Sequence, residues 1–257
     1  MPTYTATEPV ARFRARASRM AIRMATRVML VGAVWGGVHV PAAAAQTAAV
    51  AASRVAEPTS YAELWQAAAV AVDEGEFERR DGVRSALFAK ATTYARRAVA
   101  LNPNDPEGHF QLARAVGRTA LALGPRERVK YGIEVREHAL DALRLKPLHP
   151  GALHVMGVWN AEIMRLGGFT RAVAKTFLGG QIFGSASWAE AVRYLEQAVQ
   201  VEPDRLVHRL DLARIYRDMG RTTDARRTYG AAIAIADSDP NDATYRQQAG
   251  DELRRLR

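Results

Sequence analysis

The chain has no cysteine among its 257 residues. That absence excludes disulfides, thiolate metal sites, a cysteine nucleophile and a lipid-modified cysteine anchor. Alternating runs of valine, isoleucine and threonine are missing too, so nothing reads as a half-buried strand. Motifs that carry chemistry are equally scarce. The histidines (His39, His109, His138, His149, His154 and His208) form neither H-E-x-x-H nor another metal spacing. No Gly-x-Ser-x-Gly elbow occurs. Gly179 and Gly184 have the separation of a phosphate loop, but Ser185 stands where lysine is required and no strand precedes it. Asp73, Glu74, Glu76 and Glu78 share an acidic, turn-like run that reads as solvated surface. The expectation is no catalytic residue, no cofactor and no bound metal.

What is present is helix-forming: Ala, Leu, Arg and Glu abound. The net charge is +9, and residues 1–45 hold six arginines against Glu8, which accounts for five of those charges. The other four are spread over the remainder. No dense basic stripe results, so nucleic acid is not an expected partner.

The first 45 residues read as an address. An arginine-rich, acid-poor stretch to residue 27 precedes VMLVGAVWGGVHV (28–40) and then PAAAAQ. This is the order of a secretory signal, with Ala43 and Ala45 as the small residues before cleavage at Gln46. The apolar run is shorter than the ~20 residues that span a bilayer. The alternatives are an uncleaved inner-membrane anchor over 28–45 and an organelle transit peptide. The expected location is therefore the periplasm or cell envelope. Residues 46–60, QTAAVAASRVAEPTS, read as a linker before a domain at 61–257.

That domain repeats. ATTYARRAVALNP (91–103), VREHALDALRLKP (135–147), AVRYLEQAVQVEP (191–203) and ARRTYGAAIAIAD (225–237) place small or apolar residues at matching offsets. They are Ala91, Ala95 and Ala98; Val135, Ala139 and Ala142; Ala191, Leu195 and Ala198; Ala225, Tyr229 and Ala232. The 4-3 spacing keeps each trio on one helical face. Pro103, Pro147 and Pro203 then stop the helix.

Each tract follows a matching first helix. Leu212, Ala213 and Tyr216 precede Ala225, with Gly220 at the turn. Met156-Gly157, Leu112-Ala113 and Ala68-Ala69 take the same place upstream, with Trp65 ahead of the last of these. The pattern resembles the tetratricopeptide repeat. Units at 62–105, 106–149, 150–205 and 206–239 exceed its 34-residue frame by ten, ten, twenty-two and no residues. NDATYRQQAGDELRRLR (241–257) reads as a cap. The expected fold is all-α: a tetratricopeptide-like α-α superhelix with unequal insertions and a C-terminal capping helix. Asp105-Pro106 and His149-Pro150 read as helix starts, and Ser187 with Glu190 as a capping box.

Inside the third unit, GGFTRAVAKTFLGG (167–180) carries Phe169, Val173 and Phe177 every four residues. This spacing predicts a short amphipathic helix, covering one end of the stack or offering a contact patch to a partner or membrane surface. His149-Pro150-Gly151, Met156-Gly157, Trp159, Phe169 through KTFLGG and the repeat at 188–203 together resemble the regulator of microtubule dynamics family. The resemblance implies a tetratricopeptide-like adaptor rather than an enzyme, associated in animals with microtubules, spindles and organelle contacts.

In a tetratricopeptide stack the first helices face the concave side. By register that side receives Phe110, Arg114 and Arg118, then His154 and Glu162, then Leu210, Arg214 and Arg217. Arginine forks bind carboxylates in bidentate fashion, so a protein or peptide partner with an acidic segment or C-terminal tail is expected. The alternative pairs these arginines with Glu107, Asp211 and Asp218 of the same chain. The function that follows is a non-enzymatic adaptor with a peptide-binding groove. Its rival is a membrane- or cytoskeleton-associated structural protein using 169–178, with membrane contact there or at the N-terminal segment.

The export reading predicts that N-terminal sequencing of the chain recovered from its native host begins at Gln46. An intact mature chain in the cytosol contradicts it.

Overall fold

The computed structural model describes residues 57–123, 125–166 and 181–256. The described residues are helices and connecting turns, with no strand. In chain order the helices are α1 (Tyr61–Glu76), α2 (Asp81–Leu101), α3 (Pro106–Leu121), α4 (Pro125–Leu145), α5 (Pro150–Arg165), α6 (Gln181–Gly184), α7 (Trp188–Val201), α8 (Leu206–Asp218), α9 (Thr222–Ile233) and α10 (Asp242–Arg255). No described helix is long and apolar enough to cross a membrane.

Helix ends follow local chemistry. Ser60 accepts from Glu63 N, and the Glu63 carboxylate returns to the Ser60 N–H at 3.0 Å, a complete capping box. Asp105 caps α3 with Pro106 in the first turn. His149 caps α5 through Nδ1, which accepts from Ala152 N at 3.1 Å. Ser187 accepts from Glu190 N, as the sequence predicts, but the box is only half made. Glu190 turns instead to Arg193, and the Ser187 N–H donates to Asn160 Oδ1 at 3.2 Å. α2 and α7 end at Leu101 and Val201, two residues before Pro103 and Pro203. The intervening Asn102 and Glu202 leave the helical region, at φ −144° and −132°, because a proline ring crowds the helical conformation of the residue before it.

The helices pair as α1/α2, α3/α4, α5/α7 and α8/α9. Each second helix also packs on the next first helix, and successive first helices α1, α3, α5, α8 and α10 touch in series. α10 thus takes the place of a fifth first helix and closes the stack. Each of the twelve seam positions predicted by offset is at most 5 % exposed. The surplus length of the first two units goes into α2 and α4, 21 residues each against 12 in α9. In the third unit it lies between α5 and α7, where residues 167–180 fall outside the described residues. The predicted helix at Phe169, Val173 and Phe177 lies there.

Close approach decides the small positions. A Cβ on Gly157 of α5 would stand 2.6 Å from Leu195 Cγ and 3.2 Å from the Ala191 carbonyl oxygen of α7. Trp159, 6 % exposed, packs on another side of α5; its indole N–H donates to Gly132 O of α4 at 2.7 Å, and its ring stacks on Phe183.

The stack also curves far enough for its ends to meet. Phe77, at the end of α1, packs edge-on against Tyr245 of α10 with ring centroids 5.2 Å apart. Asn241 Nδ2 reaches Asp73 O at 3.5 Å.

Gly220 ends α8 with φ +74° in a Schellman arrangement: Arg221 N donates to Tyr216 O and Gly220 N to Arg217 O. Gly220→Ala is expected to lower stability by about 1 kcal/mol. Gly230→Ala, in mid-α9 with open space around it, should raise stability by about 0.5–1 kcal/mol. Urea midpoints that move in the same direction for both would contradict this backbone assignment.

Candidate functional site

The register that stacks the pairs turns their first helices toward one another. Between them lies a cavity of about 310 Å³ whose lining residues all belong to α1, α3, α5, α8 and α10. Arg118, Arg165, Arg214 and Arg217 bring guanidinium groups to it; Glu76, Glu162 and Asp211 bring carboxylates; Tyr245 and small apolar side chains complete the wall.

Four of the eight groove residues expected from the sequence line this cavity: Arg118, Glu162, Arg214 and Arg217. Arg114 is near them and donates to Asp73 Oδ1 at 2.5 Å. The other three serve different ends. Leu210 is fully buried in the core, because the inward turn of α8 at that point meets a neighbouring helix and not the cavity. Phe110 packs against the His149 ring, 4.7 Å between centroids. His154 joins a polar chain described below. Sequence reasoning missed Arg165 and Tyr245, named Asp211 only as a partner for an arginine, and read Glu76 as solvated surface, whereas its side chain is largely enclosed beside Arg118. Arg165, at the last turn of α5, was recoverable from the same helical face as Glu162.

Each inner arginine is gripped by the chain's own acids. Arg118 meets Glu76 at 2.8 Å, and Arg165 bridges Glu162 at 2.6 Å and Asp218 at 2.5 Å. The tightest knot centres on Glu252 of α10. Its carboxylate accepts from Arg214 Nε and Nη2, from Arg217 Nη1 at 2.7 Å and from the Tyr229 hydroxyl at 2.7 Å. Gln248 and Asp211 take further Arg214 N–H groups. Of the three acids weighed as intramolecular partners, Asp211 and Asp218 do hold inner arginines. Glu107 accepts instead from His149 Nε2 at 2.9 Å.

The ionisation states follow. Burial opposes charge on Asp211, but His154 and the Arg214 guanidinium outweigh it and hold the carboxyl well below the usual range. Burial likewise opposes charge on Glu252, and Arg214, Tyr229 and Arg217 overcome it. Burial beside Glu76 pushes the Tyr245 hydroxyl up, so it stays protonated.

His154 continues this network away from the cavity. Its Nε2 faces Asp211 at 3.1 Å and its Nδ1 faces His208 Nδ1 at 2.9 Å, while His208 Nε2 faces Glu202 at 3.1 Å. Burial lowers the His208 pKa to about 4, against the pull of Glu202.

Asp211 generates a pH prediction. Its folded-state pKa is depressed below the ordinary 3.8, so as pH falls the unfolded chain binds the proton first and the stabilisation is lost. Asp211→Asn should cost about 1.5–3 kcal/mol at pH 7. Urea midpoints of wild type and variant should converge as pH drops below about 4. A gap that stays constant down to pH 3 contradicts the assignment.

With this geometry in place, known proteins supply the family. The model for regulator of microtubule dynamics protein 1-3 matches residues 44–257. Mouse regulator of microtubule dynamics protein 1 is 23 % identical over 142 residues, 55 % of this chain and 46 % of that protein. The rat regulator of microtubule dynamics protein 3 is 20 % identical over 185 residues, 72 % of this chain and 39 % of that protein. The matches thus span less than half the length of these curated relatives. Among solved structures, a thermophilic TPR protein of Thermus thermophilus superposes with a TM-score of 0.52 at 23 % identity, covering 75 % of this chain and 82 % of that one. The family model's match over residues 44–257, most of the chain, leads to one conclusion: this chain belongs to the regulator of microtubule dynamics family.

Proposed function

We propose that the protein is a non-enzymatic adaptor that receives a carboxylate-bearing peptide segment or C-terminal tail on its inner surface. The observation that carries this reading is the convergence of four arginines from α3, α5 and α8 on one cavity. The Glu252 carboxylate, held by two of those arginines and a tyrosine hydroxyl, is a template for how an incoming carboxylate is gripped. About 310 Å³ is at the lower end of small-ligand pockets, room for a side chain or chain terminus and not for a folded domain. The ligand enters by exchange: its carboxylate takes over arginine N–H groups now held by the chain's own acids.

The names of the relatives favour a second reading, a microtubule-regulating role. Against it stands the N-terminal stretch, with its arginine-rich start, apolar 28–40 and small residues before Gln46. On that ground we place the partner in the periplasm or cell envelope, where cytoplasmic microtubules are not met. The membrane-contact rival rests on Phe169, Val173 and Phe177, which lie outside the described residues.

Fluorescence anisotropy against a panel of acidic-tailed peptides tests the proposal. Binding should weaken at least about tenfold in Arg165→Ala/Arg217→Ala, a loss of ~1.4 kcal/mol, with helicity unchanged. Arg217→Lys should restore charge but not the two-pronged grip, and so recover only part of the affinity. Wild-type affinity in the double variant contradicts the proposal.

A further inference from the structure

A second cluster of chemistry lies outside the cavity, in the wall between α3 and α4. His138 and Asp141 stand three residues apart on α4 and therefore share a face. His109 of α3 meets them: its Nδ1 lies 3.0 Å from His138 Nδ1 and 3.8 Å from Asp141 Oδ2. One ligand atom from each of the three residues falls within 4.8 Å of the others, the only such group of three among the described residues.

The surroundings prepare these atoms for a cation. The His109 Nε2 faces Pro103 O at 3.0 Å. A carbonyl oxygen can only accept, so the ring proton sits on Nε2 and the Nδ1 lone pair points into the cluster. This is the outer-shell arrangement that fixes metal-binding histidines. Arg144 donates to Asp141 Oδ1 at 3.1 Å and leaves Oδ2 turned toward the histidines. Glu134 and Glu137 add negative charge close by. His109 is 5 % exposed, whereas the Asp141 side chain is 39 % exposed, so water reaches one side.

We propose that His109, His138 and Asp141 bind a divalent first-row transition ion of the zinc type, with solvent in the remaining position. Two imidazole nitrogens on a tetrahedral zinc lie about 3.3 Å apart, so the rings separate by only a few tenths of an ångström from their contact here. Two nitrogens and one carboxylate oxygen suit zinc and its neighbours and are a poor set for calcium or magnesium. The ion would pin α3 to α4 where α2 hands over to α3, bracing the second pair from outside the cavity.

The test uses the untagged full chain stripped with EDTA. Zn²⁺ uptake is read by competition with a chromophoric chelator, and Co²⁺ by its visible d–d bands. One equivalent is expected, with four-coordinate Co²⁺ intensity and a Zn²⁺-dependent rise in Tm. His138→Gln keeps a hydrogen-bonding side chain beside His109, and Asp141→Asn alters a half-exposed group, so both should fold, as helicity will show. Each should weaken uptake at least about tenfold. Absence of uptake, or uptake unchanged in both variants, overturns the proposal.

Discussion

The structure depends on how closely two helices can approach. At Ala98, Ala142, Ala198 and Ala232, the third position of each trio, nothing larger than a methyl group lies in the seam, and each is fully buried. At Gly157 even a methyl would strike Leu195 and the α7 backbone. Interiors packed at crystalline density do not absorb such a clash without moving an element. This spacing, repeated from pair to pair, sets the rotation between units. The rotation brings α10 back to α1 through Phe77 and Tyr245 and leaves a cavity lined by first helices.

The charges on that inner surface are a consequence of the same packing. Isolated surface ion pairs contribute about 0–1 kcal/mol, but these guanidinium groups are partly enclosed and share acceptors. Removing one partner leaves a charge with too few hydrogen bonds, which costs more than the pair contributes. The network therefore acts mainly to fix side-chain geometry. Glu252 ties the last helix to Arg214, Arg217 and Tyr229 at once, so closure of the stack and order in the cavity are one event. On the proposed reading, a ligand carboxylate that replaced an internal one would find its donors already placed, which would lower the ordering cost of binding.

The fold was legible because its information is local. A trio such as Ala191, Leu195 and Ala198 shares a face by spacing alone, and Pro203 marks where the helix must stop. Four such trios in one register imply the stack. The cavity was legible only in part, since register predicts which way a residue points and not what it meets. Arg118, Glu162, Arg214 and Arg217 were found that way, whereas Leu210 points inward and is sealed by core packing. The partners were hidden by distance along the chain: Arg165 finds Asp218 across 53 residues and Arg214 finds Glu252 across 38. His109 and His138, 29 residues apart, show the same limit. No short motif could announce them, because the α3/α4 pairing alone brings them together.

The central claim is that contact between paired helices at small residues sets the register. A double-mutant cycle at the tightest contact tests it most directly. Leu195→Ala alone should cost about 2–5 kcal/mol, and Gly157→Ala alone about 1–3 kcal/mol. Together they should cost at least about 1 kcal/mol less than the sum, because the smaller side chain makes room for the new methyl. Strict additivity of the two costs would mean that α5 and α7 do not meet at Gly157, and would contradict the account.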